Sequence, residues 1–580
     1  EVRVAVIHPI ESAWITEGVR EHTALAGSAL NECFQDLVQW LLRGQIDFDL
    51  VSESLLPELY DGKAEGFCVG RMRYQTVLVP PLVTVRSTTL KALEDFLGRG
   101  GRVIFAGKVP ACVDGRPGDG AREVYDRAEK VPLLKTDILG ALEEERQIAV
   151  CGQGGERRND LVYQMRREGE NRWLFIAHCD PPDRVDGRDS CRDRIRITVK
   201  GRWKPTLYDT VNGGIQEIPC RVANESTRFT VPCQALDSLL FLLTPGSGEA
   251  SGREPAEGER PLQAFAASER RIDLPDFAEY RRSEPNVLVL DRCRWSRDGV
   301  NYSPGREELL RIDRAIRQEL DYPMADGTDV QPWRIPAERP SEYVWLRFAF
   351  DSEAEASCSL GYEELEEVWL NGEKVEVRQS GYFADHAIHT MALPGLKAGE
   401  NVLTARVPIG RRISLENLFL IGDFGVKVVG AYASVIREPE KLAFGSVTGQ
   451  GMPFYGAAVT YRIPFACEAG SLRVRTDYYK GALISVRMDG REAGRIVLPP
   501  YELVLPDVAA GEHLLELTLF ASRINTFGAL HLCVPVSWKG PNMWYTEGCG
   551  WADEYQLTDV GIMKKPVLTI CPAALEAGRE

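Results

Sequence analysis

The segments LEEVWLNGEKVEV (residues 365–377) and LISVRMDGREAGR (residues 483–495) decide the fold of the C-terminal half of this chain. Each carries alternating apolar and polar residues on both sides of an Asn-Gly or Asp-Gly pair, the pattern of two strands joined by a two-residue turn. Two further segments repeat around them: YVWLRFAF (343–350) matches AVTYRIPF (458–465), and LKAGENVL (396–403) matches VAAGEHLL (508–515). The three matches keep their order at offsets of 118, 115 and 112 residues. They predict two tandem β-sandwiches of jelly-roll type.

Toward the N-terminus, strands alternate with helices. Strands are predicted at residues 2–7, 48–51, 76–79 and 103–106. Apolar spacing predicts a helix over 30–41, and Ser87 or Thr88 is predicted to cap a second helix that ends near Leu97. Strands that alternate with helices favour a parallel sheet with right-handed crossovers. We therefore predict an α/β domain over residues 1–155 that is flavodoxin-like in outline.

The remaining chain is predicted to be β-structure with one linker. Short strands over residues 156–246 indicate a small antiparallel β-sandwich, and residues 247–284 have the Gly-, Glu- and Pro-rich composition of a linker. The first jelly roll is expected over 285–435, with a helix inserted at 306–320. The second is expected over 436–580.

Composition excludes some classes of function. The 580 residues carry a formal charge of −16, which disfavours nucleic acid as a partner. The 14 cysteines form no CxxC pair and no zinc-type spacing, so free thiols in the cytoplasm are favoured and no metal or other cofactor is predicted. No apolar stretch is long enough for a membrane helix. The chain opens on a predicted strand without an initial Met, so we expect a missing upstream region, which would carry any export signal.

Several segments resemble a known group of enzymes. VWLNGEKVEV (368–377) followed by LPGLKAGENVLTARV (393–407) resembles the sugar-binding, galactose-binding-like jelly roll of glycoside hydrolase family 2. Across the chain, the order of parts resembles the C-terminal region of large bacterial glycoside hydrolases of family 106, the α-L-rhamnosidase-like enzymes. The segments that carry this second resemblance are HPIESAW (8–14), VLVPPLVTVRSTTLKALEDFLGRGGRVIFAG (77–107), NVLVLDRCRWSRDG (286–299), LENLFLIGDFGV (415–426), NTFGALH (525–531) and WADEYQLTDVGI (551–562).

The resemblance implies that the catalytic carboxylates lie on a (β/α)₈ barrel N-terminal to this region. That missing barrel is then the expected partner of the chain, and oligo- or polysaccharide is the expected ligand. The α/β domain would resemble a glutamine-amidotransferase-like domain. The turn after residue 79 reads Pro80-Pro81-Leu82 and offers no nucleophile, so we expect this domain to be inactive and to serve as a scaffold or a homo-oligomer contact.

Sugar binding needs flat aromatic faces and nearby hydrogen-bonding groups. The residues predicted to contact carbohydrate are Trp369, Tyr382, Trp544, Trp551, Asp553 and Glu554. Trp544 and Trp551 bracket the loop YTEGCG, and Asp553 and Glu554 are flanked by aromatic residues. No catalytic residue is assigned within the chain.

Two other clusters are interpreted as ordinary surface. Glu363, Glu364, Glu366 and Glu367 form the densest group of acids, for which a solvated loop or edge is the favoured interpretation. Asp385, His386 and His389 could together bind a metal ion, but a surface or packing role is favoured for them too.

Three functions stay open from the sequence. The first is an accessory region of a glycoside hydrolase, inactive by itself although the full-length protein is an enzyme. The second is a stand-alone carbohydrate-binding protein. The third is a purely structural module in which the sandwiches are spacers.

Overall fold

The structure is a computed structural model that describes residues 2–180, 193–210, 213–234, 236–246, 269–324, 340, 342–534 and 548–572. It is mostly β-structure and divides into two units. The first comprises residues 1–185 and 189–264, and the second comprises residues 186–188 and 265–580. Among the described residues, no helix is both long and apolar enough to span a membrane.

The first unit begins with a five-stranded parallel sheet. Its strands, in sheet order, are Phe48–Val51, Val4–Ile7, Thr76–Val79, Arg102–Ala106 and Glu129–Val131. Counted along the chain, this order is 2-1-3-4-5. Successive side chains of a strand point to opposite faces. Accordingly, Ala5 and Ile7 pack into one hydrophobic core while Val4 and Val6 pack into another.

Helices and short strands surround this sheet. The helices are Ile10–Ile15, Arg20–Arg43, Leu56–Leu59, Ser87–Gly98, Arg122–Arg127 and Lys135–Ala141, with 3₁₀ turns at Glu53–Leu55 and Glu143–Glu145. Two small three-stranded sheets comprise Tyr60–Asp61, Phe67–Val69 and Met72–Tyr74, and Thr84–Val85, Cys112–Val113 and Arg116–Pro117. The predicted strands and both predicted helices of this region are confirmed, and the first helix extends well beyond residues 30–41.

The predicted capping of the second helix is wrong. This helix begins at Ser87, but Arg86 is its N-cap residue and makes no side-chain capping bond. Instead, Arg86 N–H donates to the Glu53 carboxylate at 2.8 Å, and Ser87 N–H donates to the Asp114 carboxylate at 2.9 Å. Acids from distant parts of the chain satisfy these backbone donors, which the local sequence could not show.

The rest of the first unit is an antiparallel β-sandwich. One sheet contains, in order, Ile148–Cys151, Asp193–Lys200, Ser226–Cys233 and Cys220–Ala223. The other contains Leu161–Glu168, Asn171–His178, Ser238–Pro245, Trp203–Tyr208 and Ile215–Glu217. Phe229 and Phe241, one from each sheet, are fully buried with their ring centroids 5.2 Å apart.

The second unit contains two further sandwiches, of which the first lies largely within residues 286–436. Its five-stranded sheet comprises, in order, Asn286–Leu290, Leu418–Gly422, Cys358–Tyr362, Asp385–Ala392 and Gly381–Phe383. Its eight-stranded sheet comprises Glu307–Glu308, Arg292–Ser296, Glu342–Ser352, Gly399–Ile409, Glu367–Leu370 and Glu373–Val375, with Gly425–Val429 and Tyr432–Ile436 paired beside them. The predicted inserted helix is Leu309–Glu319.

The second sandwich of this unit uses strands from both ends of the unit. One sheet comprises, in order, Arg270–Ile272, Val567–Pro572, Gly470–Arg475 and Glu502–Val508. The other comprises Leu442–Ala443, Phe277–Arg282, Ala458–Cys467, Gly511–Phe520, Leu483–Met488 and Arg491–Ile496. The short elements are the helix Ile524–Phe527 and 3₁₀ turns at Val447–Gly449 and Gly548–Gly550.

Part of the predicted linker over 247–284 is therefore strand. Residues 247–268 lie outside the described residues, but Arg270–Ile272 and Phe277–Arg282 pair with the second sandwich. Their polar composition fits their partly exposed faces, since only Ala278 of the six residues in the latter strand is buried. Arg270–Ile272 pairs with residues about 300 positions later in the chain, and Phe277–Arg282 pairs with residues about 180 positions later. These pairings supply the stability that local sequence did not indicate.

The internal repeat is visible in the strand order. In the first sandwich, Glu342–Ser352 pairs with Gly399–Ile409, which pairs with the hairpin strand Glu367–Leu370. The second sandwich has the same arrangement with Ala458–Cys467, Gly511–Phe520 and Leu483–Met488. The three matched segments of sequence thus occupy equivalent positions in two sheets.

Both repeat hairpins turn as predicted. Asn371 and Gly372 have φ angles of 54° and 87°, and Asp489 and Gly490 have φ angles of 50° and 77°. Positive φ at both central residues is the geometry of a type I′ turn. In each copy the side chain of the first turn residue also accepts a backbone N–H from the neighbouring strand: Val402 donates to Asn371 and Leu514 donates to Asp489, both at 2.9 Å.

Gly372→Ala is expected to lower the free energy of unfolding of the second unit by about 1–2 kcal/mol, because an L side chain is strained at this positive φ. An added Cβ would meet no atom within 4 Å, so the loss comes from the backbone alone. Gly305→Ala is the matched control, since its added Cβ also meets nothing and its φ is not in the left-handed region. Urea denaturation of both variants measures the difference, and equal midpoints would contradict the turn assignment.

Candidate functional site

Several carboxylates lie at one end of the five-stranded sheet in the second unit. The strand Cys358–Tyr362 is antiparallel to both of its neighbours, with Gly361 opposite Phe419 and Tyr362 opposite His389. Glu363 follows the last residue of this strand, so it lies at the same end of the sheet as Glu416. The charge of Asp385, at the start of the other neighbouring strand, acts on Glu363 as well.

A shallow concavity lies at this edge. Its volume is about 250 Å³ including its open mouth, and its lining residues are Glu363, Glu364, Val407, Pro408, Ser414, Leu415, Glu416 and Leu418. Apolar side chains thus form one part of the surface and three carboxylates form another. A ligand would lie over such a depression with single groups inserted into it.

The inserted helix Leu309–Glu319 fixes the loop that carries Glu416. The Arg317 guanidinium, 2% exposed, donates to the Asp313 carboxylate at 2.7 Å and to the Ile413 carbonyl at 2.8 Å. Asp313, 4% exposed, accepts the backbone N–H of Leu415 at 3.0 Å. Leu415, the residue before Glu416, is thereby hydrogen-bonded directly to a buried ion pair.

Crowding around the carboxylates changes their protonation. Glu416 is an exposed residue, but the protein around its carboxyl and, second, the charge of Glu363 raise its pKa to about 7. Burial, together with the charges of Asp385 and Glu364, also raises the pKa of Glu363. Near neutral pH, Glu416 can therefore donate a hydrogen bond in its protonated form or accept one in its charged form.

Tyr382 presents an accessible ring near this edge. Its side chain lies on the edge strand Gly381–Phe383, is 55% exposed, and has the His386 ring at a centroid distance of 4.0 Å. His389 is held differently, with its Nδ1 atom 2.9 Å from the Gln379 amide nitrogen. Among the described residues, no group of three or more His, Cys, Asp or Glu residues could hold a metal ion, and this includes Asp385, His386 and His389.

Trp369 lies on the outward side of the other sheet of this sandwich. The Lys374 ammonium is 5.5 Å from its ring centroid, and Lys374 also pairs with Glu367. The Arg406 guanidinium donates to the same Glu367 at 3.0 Å. Of the four-acid cluster, Glu367 is thus a partner in ion pairs, while Glu363, Glu364 and Glu366 are exposed.

The segment around Trp551 packs against the first sandwich. The Trp551 indole N–H donates to the Glu308 carboxylate at 2.6 Å, and the Arg311 guanidinium lies 4.2 Å from the ring centroid. Arg292 donates to the Asp553 carboxylate at 2.7 Å and to its backbone carbonyl at 2.9 Å. Glu554 is exposed, and Trp544 lies outside the described residues.

A buried acid next to this segment, Asp291, is 3% exposed and forms hydrogen bonds with two side chains. Its carboxylate is 3.0 Å from His531 Nε2 and accepts the Tyr555 hydroxyl at 2.6 Å. His531, 2% exposed, also has its Nδ1 atom 3.0 Å from the Ala552 carbonyl oxygen. Both ring nitrogens face acceptors, so the imidazolium, which donates from both, fits this position.

Two features of this region were not predicted from the sequence. Nothing in the pattern of SLENLF singled out Glu416, because the other two acids of the concavity, Glu363 and Glu364, come from a segment about 50 residues earlier in the chain. Arg317 and Asp313 stand four residues apart on one helix face, which was a readable signal for an ion pair. The interaction of that pair with residues 413–415 depends on tertiary structure.

The sequence matches no protein-family model and none of the curated proteins. Three solved structures show partial similarity. A rhamnosidase from Novosphingobium sp. PP1Y has 12% identity over 90% of this chain and 36% of its own, with a TM-score of 0.43. An alpha-L-fucosidase isoenzyme 2 from Paenibacillus thiaminolyticus has 12% identity over 42% and 49%, with a TM-score of 0.27. A beta-galactosidase from Bacillus circulans sp. alkalophilus has 12% identity over 42% and 41%, with a TM-score of 0.25.

The chain spans less than half the length of each of these three proteins. All three carry the names of glycosidases.

Proposed function

We propose that this chain is an accessory region of a glycoside hydrolase, with the catalytic barrel in an upstream part of the protein. We propose also that oligosaccharide contacts it at the end of the first sandwich of the second unit, which carries both the concavity and Tyr382. The observation that carries the proposal is the combination of three carboxylates, an apolar wall and an accessible tyrosine ring at one end of a β-sandwich. Carboxylates accept hydrogen bonds from sugar hydroxyls, and an aromatic ring packs against the apolar face of a pyranose.

The contacts made by residues 551–555 favour a structural role for this segment within the same region. Trp551 and Asp553, both predicted to contact sugar, are engaged by Glu308, Arg311 and Arg292. We propose that they join the two sandwiches of the second unit. Exposed Glu554 then remains the candidate of this segment for a ligand contact.

The α/β domain is proposed to be flavodoxin-like and catalytically inactive. Its parallel strand order of 2-1-3-4-5 supports the first part, because doubly wound proteins such as flavodoxin use this order. The sequence Pro80-Pro81-Leu82 after the third strand supports the second. Rhamnoside specificity belongs to the same proposal and rests on the sequence resemblance. A jelly-roll topology for the two sandwiches of the second unit is proposed as well, and the repeated segments support it.

Tyr382→Ala is expected to weaken oligosaccharide binding about tenfold, the loss of one aromatic stacking contact. Binding is measured on an array of plant and bacterial oligosaccharides that includes rhamnose-containing glycans, followed by calorimetric titration of the best glycan. Tyr432→Ala is the matched control, because Tyr432 is a 64% exposed tyrosine of the same sandwich with the Arg306 guanidinium 5.2 Å from its ring centroid. Equal affinities of both variants would exclude the proposed position.

The accessory role has its own test. This chain is expected to release no product from aryl rhamnosides or other aryl glycosides. Turnover that disappears in Glu416→Gln would contradict the placing of the active site upstream, because Glu416 would then act as a catalytic acid in its own right.

A further inference from the structure

Two cysteines of the second unit lie side by side at the surface. Cys533 follows the short helix Ile524–Phe527, and Cys549 lies in the 3₁₀ turn Gly548–Gly550. Both are exposed free thiols. Of the cysteines in the described residues, Cys179 is the other exposed one, and it belongs to the first unit.

Antiparallel pairing holds the two chain segments together. Leu532 and Trp551 form an isolated antiparallel bridge, and Cys533 N–H donates to the Gly550 carbonyl at 3.0 Å. The Cys533 thiol donates to the carbonyl of Cys549 itself at 3.3 Å. Standard bond lengths then place the Cys533 sulfur within about 6 Å of the Cys549 Cα atom. Rotation of both side chains, together with a small shift of the backbone in the turn, would bring the two sulfur atoms from this arrangement to the bonding distance of about 2.05 Å.

We propose that Cys533 and Cys549 form a reversible disulfide by exchange with a low-molecular-weight disulfide such as oxidised glutathione. The Cys533 thiolate attacks one sulfur of glutathione disulfide, forms a mixed disulfide and releases one glutathione. The Cys549 thiolate then attacks the Cys533 sulfur and releases the second glutathione. The cysteine pair loses two electrons and two protons, and these appear in the two glutathione thiols.

The second step is intramolecular, which favours the internal disulfide over a second glutathione adduct. Two thiols held on paired segments have a high effective concentration for each other. The bond would join the two ends of residues 534–548. It would also lie directly beside Trp551 and His531, so oxidation would strengthen the attachment of the segment that joins the two sandwiches.

Peptide mapping tests this assignment. The native protein is treated with increasing oxidised glutathione until Cys179 is oxidised, then alkylated, unfolded and digested with trypsin without reduction. Cleavage after Arg523, Lys539 and Lys564 places Cys533 in peptide 524–539 and Cys549 in peptide 540–564, each with a single cysteine. Mass spectrometry is expected to find these two peptides linked, at least about tenfold in excess of their separate glutathione adducts.

Single variants separate the two steps. In Cys549→Ser, Cys533 is expected to keep its glutathione, and in Cys533→Ser, Cys549 is expected to do the same. Separate glutathione adducts on both cysteines of the unsubstituted protein would overturn the proposal. Two alkylated, unoxidised thiols at a glutathione concentration that oxidises Cys179 would overturn it too. Neither outcome bears on carbohydrate binding, which has its own assay.

Discussion

Arg317→Ala is expected to destabilise the second unit by about 3–5 kcal/mol, the cost of removing one member of a buried ion pair. The guanidinium is 2% exposed and donates to Asp313, to the carbonyls of Pro323 and Ile413, and to the Ser414 hydroxyl. Alanine would leave the Asp313 carboxylate, which is 4% exposed, without this partner inside the protein. Urea denaturation followed by tryptophan fluorescence measures the loss.

The control for this variant is Glu319→Ala on the same helix. Glu319 is exposed and pairs with Arg297 at 3.4 Å, so its removal is expected to cost about 0.5 kcal/mol or less. Replacing both buried partners, in Asp313→Leu/Arg317→Met, is expected to cost less than Arg317→Ala alone, because no charge is left unpaired. Equal effects of Arg317→Ala and Glu319→Ala would show that the buried pair does not hold this helix in place.

His531→Phe is expected to cost about 3 kcal/mol near pH 6 and distinctly less at higher pH. Phenylalanine keeps a ring of similar shape but lacks both donors, so Asp291 and the Ala552 carbonyl lose their partner. Burial by itself would lower the pKa of His531. The hydrogen bond with Asp291, the charge of Asp291 and the charge of Glu308 outweigh burial and leave the pKa raised.

The direction of the pH dependence follows from that raised pKa. A histidine whose pKa is higher in the folded state contributes stability that is complete below its unfolded pKa of about 6.5. The contribution disappears as pH rises through the folded value. The groups that face the ring are Asp291 and Glu308, with the Tyr555 hydroxyl on Asp291 and Arg292 nearby. The unfolding free energies of both proteins, measured from about pH 5.5 to about pH 9, are expected to converge as the pH rises.

His513→Asn is the matched control for this experiment. His513 also has a raised pKa, caused first by its hydrogen bond with Asp489, but Asp489 is 47% exposed and solvent screens the pair. Asparagine occurs naturally at the equivalent position of the first sandwich, where Asn401 contacts Asn371. A cost well below 1 kcal/mol is expected. A pH dependence as strong as that of His531→Phe would contradict the assignment of the effect to the buried histidine.

Local features of the sequence determined much of the second unit. Asn371-Gly372 and Asp489-Gly490 predicted their turns because positive φ at two successive residues requires such residue types, whatever surrounds them. The repeated segments predicted equivalent strands because alternation of apolar and polar residues reports which face of a strand is buried. The strand–helix alternation of the first 106 residues was readable for the same reason.

Tertiary structure decided what each polar side chain does. Trp551 looked ligand-facing in its Gly-containing loop, but Glu308 and Arg311, which come about 240 residues earlier in the chain, bond to its nitrogen and cover its ring. The raised pKa of Glu416 comes first from burial and second from the charge of Glu363, which lies in a distant segment of the chain. Turn and strand preferences act between neighbours in the chain, whereas hydrogen bonds, burial and charge act between neighbours in space, and only the folded chain brings those residues together.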